Sequence, residues 1–168
     1  MADSRRTILL LPLVAVHALC GLAAEYRSVS VDKNGQLHIV LDSGKEILPP
    51  KSRDQVSFGQ PAISPDRRTV GWLVMYADPF ITYYKGAQLS GDLVVYRAGR
   101  VLHTFATDQT FYDWQFRDGG KRVAYSTGPT HGGAEECVLR DVESGRTVAR
   151  WWVRKGGDPP DWAMMLRY

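Results

Sequence analysis

Cysteine is nearly absent. Only Cys20 and Cys137 carry a thiol among 168 residues, and Cys20 falls in an apolar leader that is expected to be removed. Cys137 then stands alone, which excludes an intramolecular disulfide. It opens the apolar run "CVL", the setting of a buried, inert thiol rather than a nucleophile. Runs of lysine and arginine are also missing. Without Arg5, Arg6 and Asp3, the 21 basic and 18 acidic residues fall to 19 and 17, a net charge of +2. That balance argues against a nucleic-acid partner. No long stretch shows helical periodicity. A chain of this length with no covalent staples has to bury a real core, roughly two thirds of its unfolded surface. Five Trp, eight Tyr and five Phe supply the bulk.

The first 24 residues read as a signal peptide. Arg5 and Arg6 form a basic start, Ile8 to Ala24 carries no Asp, Glu, Lys or Arg, and "GLAAEY" offers small residues for cleavage near Ala23 or Ala24. The alternative is an uncleaved membrane anchor, since the run approaches the ~18 apolar residues that suggest a span. Both general and twin-arginine export fit "SRRTIL". A lipoprotein fits less well, because Leu19 precedes Cys20 where a small residue is usual. The expectation is one β-repeat domain over residues 25–168, exported to a periplasmic or extracellular location.

Short β-rich runs alternate with turn signals at the spacing of all-β domains. Asn34-Gly35, within "RSVSVDKNGQLHIVL", is a strong hairpin signal. A phrase then recurs. "LHIVLDSGKEIL", "LVVYRAGRVLHTF" and "CVLRDVESGRTVARW" each read as apolar strand, turn ending in Gly-Lys or Gly-Arg, and strand, with Gly44, Gly99 and Gly145 at the turns. Glycine there permits a positive φ. "PAISPDRRTVGWLV" and "WQFRDGGKRVAYST" precede the second and third copies. Pro65 cannot donate to a sheet ladder and Asp66 can cap the turn. The strand from Thr69 to Tyr76 places Val70, Trp72, Val74 and Tyr76 on one face and Leu73 and Met75 on the other, so both faces need cover. Self-similarity at about 40–55 residues is the mark of a propeller-type array.

"PAISPDRRTVGWLV", followed by "LVVYRAGR", resembles the Ser-Pro-Asp-Gly signature of TolB-type, WD-repeat-like β-propeller blades. The likeness covers about Gln60 to Trp151 in two copies, with a partial copy from Tyr26 to Leu48, two and a half blades in all. Arg67 stands where the family usually has Gly, and the second copy has "RDGG" without Ser-Pro. The resemblance implies an all-β fold of antiparallel four-stranded meanders, partly propeller-like, with about 11 strands. It also implies a binding role by analogy. The first repeat lacks a leading strand, while "PDWAMML" near the C-terminus echoes the leading strand "YDWQF". That suggests closure between the chain ends, within a homodimer. The alternative is a monomer whose tail packs as a short helix.

The chemistry-bearing residues form no constellation. His38, His103 and His131 share no metal-ligand spacing, so no metal and no cofactor is expected. "AYSTG" lacks the first glycine of a nucleophile elbow, and "DKNG" reads as a hairpin rather than a calcium loop. "DPPD", Asp158 to Asp161, reads as a proline-rich turn more simply than as a cation site. No acid–base pair can be placed, and no catalytic residue is named. A non-enzymatic binding module is the reading favoured over a hydrolase or metal-dependent enzyme of the cell envelope. In a four-stranded meander, the loops joining second to third strands and the connections between blades leave from one end. These are Ala77 to Gly91, Ala106 to Asp113 and Ser126 to Glu136. They bring together Phe80, Tyr83, Tyr84, Phe111, Tyr112 and His131 as candidate contacts for another protein or an envelope ligand. The first loop is far longer than the usual ~4–6 residues. The alternative is that "FITYY" is an extra strand or lies flat on the core.

Overall fold

The computed structural model describes residues 25–78 and 87–166. The leader, and the tract holding Phe80, Tyr83 and Tyr84, lie outside the described residues. Three antiparallel sheets follow in chain order. The first contains β1 (Tyr26–Val31), β2 (Leu37–Leu41) and β3 (Glu46–Ile47). The second contains β4 (Gln55–Ile63), β5 (Thr69–Ala77), β6 (Gln88–Arg97) and β7 (Arg100–Ala106). The third contains β8 (Thr110–Arg117), β9 (Arg122–Gly128), β10 (Glu136–Asp141) and β11 (Thr147–Trp152). The all-β meander fold read from the sequence is therefore present, with eleven strands among the described residues. The first repeat has three strands, as expected.

Local chemistry explains the turns. Gly44, Gly99 and Gly145 take φ of +82°, +81° and +69° at the last hairpin of each sheet, a region that a side chain would penalise. In the Ser-Pro-Asp turn, the Ser64 hydroxyl accepts the Thr69 amide at 2.9 Å and donates to Asp66 at 2.5 Å. The same Asp66 oxygen accepts the Arg68 amide at 3.1 Å. Arg67 occupies the left-handed region at φ +59°. Its long side chain offsets that strain: Nε donates to the Tyr26 carbonyl at 3.2 Å, and the guanidinium also bonds Asp42. Where a glycine would only turn, the arginine also ties the second sheet to the first.

The sheets stack face to face. Strand β5 is buried from Thr69 through Val74, and its faces divide as the alternation predicts. Val70, Trp72 and Val74 pack with Tyr26, Leu37 and Ile39 of the first sheet. Leu73 turns the other way, toward Phe111, Trp114 and Tyr125 of the third. The Trp114 ring packs against Gly71, where an added Cβ would lie 2.5 Å from it, and its indole donates to the Gln60 carbonyl at 3.1 Å.

The two outermost faces are finished differently. The far face of the first sheet is polar: Ser28 and Ser30 of β1 stand opposite Val40 and His38 of β2. His38 there meets Glu46 at 2.7 Å. The far face of the third sheet carries Ala124, Cys137 and Leu139, covered by Ala163 and Leu166 of the C-terminal tail. That tail corrects the terminal-strand expectation. Residues 161–166 form consecutive turns, with Ala163 donating to the Pro160 carbonyl at 2.7 Å and Leu166 to that of Ala163 at 3.0 Å. Pro159 and Pro160 offer no backbone donors, and Ala163 to Leu166 favour local helical bonding. Within this chain the tail packs as a helix-like cap on the third sheet and not as a strand.

Candidate functional site

The meander sets both ends of the molecule. The end of β5, both sides of the β7–β8 connection and the β9–β10 connection all emerge at one edge of the stack. Of the six residues that the sequence assigns to this edge, three are described. His131 is exposed in the turn after β9. Tyr112 is half-buried on β8, and its hydroxyl donates to the Pro129 carbonyl while accepting the Gly133 amide at 3.0 Å. One side chain thus pins the turn that carries His131, and the Thr110 and Thr130 hydroxyls join beside it at 3.2 Å.

Phe111 requires correction. It is 2% exposed, and its ring centroid lies 5.1 Å from that of Tyr125 inside the core between the second and third sheets. Strand β8 begins at Thr110, so the connection expected over Ala106 to Asp113 shrinks to residues 107–109. Two apolar residues that read as a loop are the start of a strand, and alternation sends the first of them inward.

A second concavity lies along the flank of the stack. Strand β3 is two residues long, so the first sheet stops short of the outer strands of the second. Two adjoining cavities, of about 350 and 330 Å³, share Pro50, Trp72 and Val101. They run from Tyr76 and Asp92, joined by a 2.9 Å hydrogen bond, to Tyr96 and Gly99. The Tyr76 phenol is held above its ordinary range, by burial first and then by the Asp92 carboxylate that it donates to. The floor is aromatic and aliphatic, and Arg53 and Arg100 stand at opposite mouths. Sequence reasoning passed over this cleft. The signal was the shortness of "KEIL" before "PPKSRD", one strand too brief to cover the doubly apolar sheet beside it.

Chemical reactivity is subdued at the remaining notable groups. Burial, with a contribution from Glu136, pushes the Cys137 thiol up to about 11. Among the described residues no three His, Cys, Asp or Glu side chains come together as a metal site.

No family model and no curated protein matches the chain. Among solved structures, the C-terminal WD40 domain of Sif2 is similar over 78% of this chain and 38% of its own, with a TM-score of 0.42 and 12% identity.

Proposed function

We propose that the protein is an exported, non-enzymatic binding module that meets another protein or an envelope ligand with the loop edge of its sheet stack. The observation that carries this reading is the Tyr112 clamp. Two hydrogen bonds from one hydroxyl order the Pro129–Gly133 turn and hold His131 out to solvent. Rigid scaffolds presenting loops in this way are common binding architecture. The long connection after β5, with Phe80, Tyr83 and Tyr84, leaves from the same edge and adds anchor-type side chains. Export rests on the leader sequence, with its basic start, apolar run and small residues before Glu25.

Affinity capture from envelope extract with the wild-type chain, compared with Tyr83→Ala, Tyr84→Ala and His131→Ala, tests the edge. The expected result is loss of the same captured partner in all three variants, with unchanged denaturant midpoints. Capture that survives all three, or variants that unfold, refutes the assignment. Intact mass of the protein recovered outside the cytoplasm tests export, with loss of the first ~24 residues expected.

A further inference from the structure

We propose that β7 and the cleft beside it form a strand-addition site for an extended peptide, with acidic residues flanking two apolar side chains spaced i and i+2. The site lies on the flank of the stack, apart from the loop edge.

Four observations converge on β7. It ends the order of the second sheet, so one side of its backbone pairs with no strand among the described residues. Natural proteins protect such edges with lysine, proline, inward charge or cover. From Val101 to Ala106, β7 has none of these, its one ionisable group being His103. Val101 is 53% exposed. Three other edges are managed: β3 is only two residues long, β1 is engaged by the Arg67 turn through the Tyr26 amide at 2.8 Å, and β4 carries Pro61 and a register shift between Gly59 and Ala62.

The cleft supplies what a bare edge lacks. A peptide paired with β7 directs alternate side chains to each side of the sheet, and one set would lie over the space bounded by Val101, Leu48, Pro50 and Trp72. Backbone pairing then contributes affinity and the cavities select side chains, the division of labour in strand addition. Those walls are apolar, so the two inward side chains should be aliphatic or aromatic. Five extended residues span roughly 16 Å, a length matched by β6 from Asp92 to Arg97 along the same cleft. Arg53 at one mouth and Arg100 at the other favour an acidic residue at each end. Asp92, which accepts the Tyr76 hydroxyl, and Asp54, 3.7 Å from Arg53, keep their charge near the first mouth, so the acidic preference is strongest at the Arg100 end.

The test is fluorescence anisotropy of the full chain with a labelled synthetic pool, acetyl-Glu-Xaa-Φ-Xaa-Φ-Xaa-Glu-amide, where Φ is Val, Ile, Leu or Phe and the acids share the face of the Φ pair. Saturable binding by members of the pool is expected. Val101→Lys and Leu48→Glu, both at exposed positions, should each weaken it by on the order of tenfold or more. Arg100→Glu should weaken it too and restore binding to a lysine-flanked pool. A strand turns alternate amides toward its neighbour. Of two peptides N-methylated on complementary alternate amides, one should therefore lose binding and the other keep it. No binder in the pool, or binding indifferent to Val101→Lys, overturns the proposal. Equal binding by both methylated patterns also overturns it, as a groove read by side chains alone. A dimer that Val101→Lys dissociates, without peptide binding, assigns the edge to a second copy and overturns it as well. None of these outcomes depends on Tyr83, Tyr84 or His131, so the flank and the loop edge stand or fall separately.

Discussion

Trp72 and Trp114 are 4% and 5% exposed and sit on opposite sides of the second sheet. Truncating either to alanine should cost on the order of 3–5 kcal/mol in denaturant unfolding. Gly71 is the complement of Trp114. Gly71→Ala puts a methyl where the indole lies, and should destabilise by roughly 1–3 kcal/mol, with a change in tryptophan emission reporting the displaced ring. Cys137, its thiol pushed up to about 11, stays protonated at neutral pH. A maleimide should spare it in the native protein and modify it after unfolding, as read by peptide mapping. At this scale the alternation of Val70, Trp72 and Val74 was legible because a strand repeats every two residues. Phe111 was not. A loop and a strand start have the same composition at "DQTFYD", and only tertiary contact with Tyr125 distinguishes them.

Strands and turns show the same division. The glycine turns were readable from local backbone physics alone, which is why Gly44, Gly99 and Gly145 all carry positive φ. The tail was harder, because "PDWAMML" copies the pattern of "YDWQF" while its prolines and helix formers pull the other way. Leu166→Ala should cost about 2–5 kcal/mol if the cap is an integral part of the core. Light scattering should find a monomer with or without residues 158–168, but the shorter chain should unfold at lower denaturant. On the opposite face, the hydrogen bond from His38 to Glu46 raises the imidazole above its ordinary 6.5, with Asp32 adding to the effect. A raised value means that the stabilisation is present in acid and is lost as pH rises through the native titration. His38→Gln should therefore lower the unfolding midpoint more at about pH 5.5 than at about pH 8.5. The flank cleft escaped sequence reading for an elemental reason: it is made by a strand that ends early, and shortness leaves no motif.

For the whole molecule, three sheets stack in chain order, and the stack is completed by a polar face at one end and a packed tail at the other. Terminal units with a polar or covered outer face are what linear arrays need in order to stay soluble.

Each sheet is also one uninterrupted length of chain, 26–47, 55–106 and 110–152, with no strand exchanged between them. Pulled from its two ends, such a protein yields like a short stack of cards drawn from the outside. The first sheet, packed on one face only, can come away while the middle one, packed on both, still holds. Nascent chain leaving the ribosome meets the same arrangement in reverse. The first sheet can pair its strands before the second exists, but its apolar face stays uncovered until β4 and β5 bring Phe58, Val70, Trp72 and Val74.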